Sequence, residues 1–277
     1  MLDQPRYKPI ALPMYDWPEV RIATEVLECE LSRAIFKAVD IHPNQIWNWR
    51  PDQDELPTRW ANRGLLLSQT CGYPLVTFLE GKVEPLLTPH YDAPGCDGPL
   101  YCSHILVRAD SGFDRLEELA GKRAAFNSQD SQSGYNAFRH CVAQIAGGRA
   151  FFGETLETGG HLKSMEAVAA GKADVCCTDA VCLDLVRRVR PELFSALKAI
   201  GRSRQVPGLP LVTAAGHPCD VIENIRAAAV SVFEALQTQE SRERLGIRGF
   251  SVLSSDDYRP LVEMRLEAEN LGYPELV

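Results

Sequence analysis

What this sequence lacks narrows its function before any motif is considered. Long apolar runs are missing: segments such as Leu65-Leu66-Leu67 and Ala227-Ala228-Ala229-Val230 stop after a few residues, whereas a bilayer-spanning helix needs about 18 or more. Direct membrane insertion is therefore not expected. A basic surplus is missing too. The 29 Lys and Arg are outnumbered by 37 Asp and Glu, giving a formal charge of -8 and a pI near 5.3. Nothing here neutralises a phosphodiester backbone, so no nucleic-acid partner is expected. Neither GxxxxGK[ST] nor GxGxxG occurs, which argues against an ATP-driven role for this chain itself. None of the 9 cysteines falls in CxxC spacing, so neither a zinc site nor a dithiol redox centre is read, and no metal or organic cofactor is expected. Most of these thiols read as small buried hydrophobes, which fits a reducing compartment. The stretch from Met1 to Pro9 lacks a basic segment, an apolar core and a small-residue cleavage site in that order. The expected location is periplasmic if a leader has been removed and cytoplasmic otherwise.

What is present is a chain of 277 residues, 45% hydrophobic and 24% charged, long enough for two lobes of ordinary size. Residues 10–15 read as a strand feeding a helix over 17–39, with Val20, Ala23, Leu27, Leu31 and Ile35 at helical spacing. A polar helix over 54–63 and short strands over 65–68, 83–88 and 101–108 follow. From Leu116 onward strands at 123–126, 155–158 and 174–178 alternate with helices at 131–146, 161–170 and 180–189. That rhythm implies α/β architecture with mostly parallel sheets flanked by helices. Residues 196–203 and 209–214 are strand-like, and 222–236 and 255–269 helical by period. The expected division is a discontinuous first lobe, 1–105 plus 203–277, and a second lobe, 106–202, joined by two hinge strands. No internal repeat or low-complexity segment is found.

Two polar segments and two single residues sit where chemistry could be done. Asn127-Ser128-Gln129-Asp130-Ser131-Gln132-Ser133-Gly134-Tyr135 lies between a strand and a helix. At a helix start the first N–H groups have no intrahelical partner and the macrodipole is positive, so such a loop can clasp an oxyanion. Ordinary capping by Asp130 or Ser131 would also account for part of it. Gln69-Thr70-Cys71-Gly72-Tyr73 follows a short apolar strand, and Cys71 invites a nucleophile reading if a histidine, among His161, His90 and His104, lies near it. His161 opens a helix after Gly159-Gly160, and Asp179 ends an apolar strand, where it could also simply cap the next helix. Both stand at strand ends of successive α/β units, where topology aims side chains into one crevice.

Taken together, Leu67-Ser68-Gln69-Thr70-Cys71-Gly72-Tyr73-Pro74, Ser131-Gln132-Ser133-Gly134-Tyr135, Gly160-His161 with the run from Ala167 to Val175, Thr178-Asp179, and Pro207-Gly208-Leu209-Pro210-Leu211-Val212-Thr213 resemble the phosphate/phosphite/phosphonate-binding components of ABC importers. The resemblance implies a type II periplasmic-binding-protein fold with a ligand between two lobes. It also implies oxyanion contacts from Ser131, Gln132, Ser133, Gly134, Tyr135, His161 and Asp179, faced by Tyr15, Gln69, Thr70, Cys71, Gly72 and Tyr73. Gln132 departs from the family's small hydroxyl residue at its position, which would alter pocket volume and donor geometry. The function implied is capture of a small oxyanion-bearing solute, with separate permease and ATPase subunits as partners. No catalytic residue is assigned; a cysteine-dependent enzyme and a cytoplasmic sensor on the same scaffold are the alternatives.

Overall fold

The computed structural model describes residues 10–40 and 56–277. The readings that rest on the first nine residues, and on the start of the helix expected over 54–63, lie outside them; the described part of that helix is Leu56–Trp60. The chain forms two compact units, Met1–Asp92 with Gly208–Asp257, and Ala93–Pro207 with Tyr258–Val277.

In the first unit, the helix Arg21–Ala38 turns Leu27, Leu31 and Ile35 inward at spacings of four, and each is fully buried. Each such aliphatic side chain contributes about 1.5–3 kcal/mol on burial. Glu28 shares that face because its carboxylate has a use there: Oε1 accepts the Leu12 N–H at 2.8 Å and ties the helix to the first strand. The sheet runs in the order Ile10–Ala11, Leu67–Gln69, Leu211–Ala214, Val83–Tyr91, Ile247–Ser251. Ile10–Ala11 and Leu67–Gln69 pair in parallel, and Leu211–Ala214 runs antiparallel to both of its neighbours.

The second unit orders its main sheet Leu197–Arg202, Ser103–Arg108, Val175–Asp179, Arg123–Phe126, Glu154–Glu157. The last three strands are mutually parallel, whereas Ser103–Arg108 is antiparallel to both neighbours. In each unit the strand that follows the crossing from the other unit, Ser103–Arg108 or Leu211–Ala214, is thus inserted against its neighbours. Val175–Asp179 is buried at every position, as a central strand covered on both faces must be. Glu154–Glu157 is exposed throughout and carries its charges on the sheet edge, which discourages further pairing.

Two expectations about organisation change. The crossings fall at 92/93 and 207/208 instead of 105/106 and 202/203, and a third falls at 257/258. The terminal helix Arg259–Asn270, expected with the first lobe, belongs to the second. Ala268, Tyr273 and Leu276 enter the second unit's core beside Phe138, Val142 and Phe152, and Arg139 and His140 reach the Pro274 carbonyl and Glu267. The helix expected over 131–146 also differs at its start. It opens with a π-turn, Gln132–Asn136, in which the Asn136 N–H reaches back to the Ser131 carbonyl at 3.0 Å, and becomes α-helical only over Ala137–Ala146. Such wide turns are frequent at functional sites.

Candidate functional site

Three parallel strands of the second unit end in polar residues at their carboxyl ends, where open α/β sheets hold ligands. Arg123–Phe126 delivers Asn127 and the serine turn, Glu154–Glu157 delivers His161 through Thr158-Gly159-Gly160, and Val175–Asp179 ends in Asp179 itself. These residues meet. Ser133 Oγ lies 2.8 Å from His161 Nε2, and Asp179 Oδ2 lies 3.3 Å from the same nitrogen. Ser131 caps the turn, its Oγ accepting the Gly134 N–H at 3.1 Å, which leaves the hydroxyl proton free to donate. Asp179 is indeed a helix cap, Oδ1 accepting the Cys182 N–H at 2.8 Å, but its other oxygen faces His161.

The proton inventory of this cluster follows from its geometry. A carboxylate can only accept, so a His161 tautomer with its proton on Nε2 suits Asp179 and Ser133 Oγ together. The Ser133 O–H is then left to donate elsewhere. Burial pushes the His161 pKa below the ordinary imidazole value; the Asp179 charge and the Cys177 backbone oppose that shift without cancelling it. The imidazole is therefore neutral near pH 7. This is not an acyl-transfer triad. In a triad the carboxylate holds the ring nitrogen remote from the serine, whereas here both partners crowd Nε2. The thiols around Asp179 stay protonated, Cys96 being pushed up to about 12 chiefly by burial and Cys182 well above its ordinary value for the same reason.

Two expected contacts point elsewhere. The Gln132 side chain is fully buried, with Oε1 accepting from Asn136 Nδ2 at 2.7 Å and Nε2 lying 3.4 Å from the Met264 sulfur. Its extra length is thus taken up by the unit's interior, in place of the altered pocket volume expected of it. The Tyr135 ring stacks edge-on to Phe126, and its hydroxyl accepts the Leu276 N–H at 3.3 Å. What these two residues contribute to the turn is backbone.

In the first unit, Gln69 is buried and donates from Nε2 to Tyr91 Oη at 3.0 Å and, more weakly, to the Leu209 carbonyl at 3.4 Å. Tyr15 meets the Tyr91 ring edge-on at 5.2 Å. Tyr15, Gln69 and Tyr91 line a cavity of about 20 Å³, room for one water. The Thr70 N–H bonds the Pro210 carbonyl at 3.1 Å. Cys71 is buried at the start of the short helix Gly72–Leu75, and Tyr73 is half-buried, its carbonyl accepting from Thr77 Oγ1. His90 and His217, the other described histidines of this unit, are bonded to Ser251 and the Leu65 carbonyl.

Sequence reasoning missed two residues. Tyr91 ends a long strand and becomes visible only through its partners. Asn127 stood in the polar loop but was not singled out; in the structure its Oδ1 is buried without a hydrogen-bond partner, packed against Gly134. Among the described residues no cluster of three or more His, Cys, Asp or Glu is arranged to hold a metal, and no helix is long and apolar enough to cross a membrane.

Two α/β units, each built from two separate stretches of the chain, with polar side chains meeting at strand ends, have the two-lobe binding-protein fold. The sequence matches the family described as ABC transporter, phosphonate, periplasmic substrate-binding protein over residues 52–258, and the chain belongs to that family. Solved structures share its fold. A binding protein component of an ABC phosphonate transporter from Pseudomonas aeruginosa is 16% identical with a TM-score of 0.75, covering 95% of this chain and 88% of that one. A Prochlorococcus marinus protein in complex with methylphosphonate is 14% identical, TM-score 0.72, covering 94% and 96%. A Xanthomonas citri protein bound to ATP is 16% identical, TM-score 0.68, covering 95% and 97%. No curated protein matches the chain in sequence.

Proposed function

We propose that this chain captures a monoanionic phosphonate, or a phosphate-like oxyanion, and delivers it unchanged to a permease driven by a separate ATPase, in the periplasm. The observation that carries this reading is the convergence of Ser133, His161 and Asp179 beside the Ser131-capped turn. Ser131 and Ser133 each keep a hydroxyl proton for a ligand, the turn supplies backbone N–H groups, and Asp179 demands a proton from whatever sits beside it. The triplet's geometry supports binding without turnover. Family membership supports the importer partners and the compartment, and the methylphosphonate held by the Prochlorococcus marinus relative supports the ligand class.

The test is calorimetry with phosphate, methylphosphonate, an aminoalkylphosphonate and sulfate, with turnover assayed on the same panel. A Ser131→Ala, Ser133→Ala double variant is expected to lose roughly tenfold to a hundredfold in affinity per charge-assisted hydrogen bond removed, or about 1.5–3 kcal/mol each. Unchanged affinity in that variant would sink the assignment of the turn.

Cys71 is expected to be dispensable. Its unit's described histidines are engaged elsewhere, and the residue is a buried helix-start position. Cys71→Ser should keep binding within a few-fold. A covalent adduct on Cys71, formed from a substrate and seen by mass spectrometry, would restore the enzyme reading.

A further inference from the structure

We propose that Asn127 is a specificity-determining contact of this site, its side-chain N–H donating to a deprotonated oxygen of the ligand; the proposal rests on the oxyanion reading above. Placement is the first support. Asn127 directly follows the strand Arg123–Phe126 and so stands at the same edge as His161 and Asp179, one polar residue from each of three parallel strands. Its backbone is already employed, the carbonyl accepting the Gly159 N–H at 2.8 Å. That bond fixes the loop without calling on the side chain.

The second support is the state of the amide. Among the described residues it has no hydrogen-bond partner, and Oδ1 is buried. Native structures seldom leave a buried amide oxygen unpaired without a use for the group. Its orientation is set by contact. Oδ1 is wedged against Gly134, where an added Cβ would stand 2.9 Å from Asn127 Cγ and 3.0 Å from His161 Cε1. Nδ2 has no bonded partner either, yet unlike Oδ1 it is not among the buried unpartnered atoms, so the NH2 end is the one open to a ligand.

An amide held this way offers donors only. The ligand atom it reads must be an acceptor, whereas Asp179 accepts only and must meet a protonated oxygen or an ammonium group. Together the two residues ask for one molecule carrying both kinds of group: a phosphonate or phosphate monoanion, with P–O⁻ toward Asn127 and P–OH toward Asp179. Sulfate fulfils the first condition alone.

The experiment compares wild type, Asn127→Asp, Asn127→Ala and the Ser131→Ala, Ser133→Ala variant by calorimetry with methylphosphonate and with phosphate, each checked for unliganded thermal unfolding. Asn127→Asp keeps the shape and exchanges the donor for a charge. Its Kd is expected to rise at least about tenfold at pH 7.5 and to recover relative to wild type toward pH 5 as the new carboxyl takes a proton. Asn127→Ala, which adds no charge, should lose about tenfold at every pH. If wild type binds and the serine variant weakens while both Asn127 variants keep the wild-type Kd, Asn127 only shapes the loop and this inference is overturned alone. If wild type binds neither ligand, the oxyanion reading itself falls and takes the inference with it.

Discussion

Adding one methyl group at Gly134 is expected to cost at least about a hundredfold in affinity for methylphosphonate, the largest loss from any single substitution in the turn. The new Cβ would overlap Asn127 Oδ1, stand 2.9 Å from Asn127 Cγ and crowd His161 Cε1 at 3.0 Å. The Asn127 side chain is short, so it can give way only by turning its amide, and the His161 ring is held by its partners. Asn127 is anchored by its strand and by the Gly159 N–H, and His161 by Ser133 and Asp179. Overpacking of this kind costs about 1–3 kcal/mol in stability, and relief requires moving the groups proposed to hold the ligand, so affinity falls with it. Gly134→Ala combined with Asn127→Ala removes the worse of the two overlaps. That pair should therefore bind more tightly than Gly134→Ala alone, even though Asn127→Ala is itself expected to weaken binding. Calorimetry on the three variants checks this; equal Kd values for Gly134→Ala and wild type would show that the turn yields freely.

The fold's main features were open to sequence reasoning because they are set by local chemistry. The regular alternation after Leu116 is written in apolar spacing and terminal glycines, and polar residues after apolar strands fall at strand ends whatever the details. That is why Ser131, Ser133, His161 and Asp179 could be grouped before their distances were known. The misassignments have a different origin. Leu261, Met264 and Ala268 mark a buried face on the last helix, but periodicity states only that a face is buried, not which core receives it. The choice is made by long-range partners such as Asn136 on the Leu261 carbonyl and His140 on Glu267. Gln132 and Tyr135 were misdirected for a local reason. The π-turn inserts a residue at the helix start, and within it the Gln132 side chain meets Asn136 and Met264 while the Tyr135 ring meets Phe126. Nothing in the letters SQSGY announces that insertion. Asn127 was invisible as a site residue because an unsatisfied amide is a property of its surroundings.

The pH dependence of binding is the second large effect, and Asp179 is expected to set it. Its side chain is almost wholly buried, with one oxygen on the Cys182 N–H and the other toward His161. An oxyanion seated beside that carboxylate without a proton between them pays like-charge repulsion, about 4 kcal/mol at 4 Å for an effective dielectric near 20, or roughly a thousandfold in Kd. A monoanion escapes by donating its own O–H. The complex then holds a proton that the free dianion lacks, so affinity is highest below the ligand's second ionisation and falls up to about tenfold per pH unit above it. His161 would push in the same direction if it titrated in this window, since its cationic form also favours an anion. Burial lowers its pKa from the ordinary value, which moves its ionisation away from neutrality, and sulfate separates the two: it has no proton to lose near neutrality, so any slope in its binding reports the imidazole alone. Asp179→Asn keeps an oxygen to cap Cys182 and removes the charge; an amide N–H opposite Nε2 then requires the imidazole to move its proton to the other nitrogen. The expected result between about pH 5.5 and 8.5 is a steep methylphosphonate profile in wild type, a flattened one in Asp179→Asn, and a smaller gap between phosphonate and sulfate in the variant. Parallel profiles in the two proteins would reduce Asp179 to the cap of its helix.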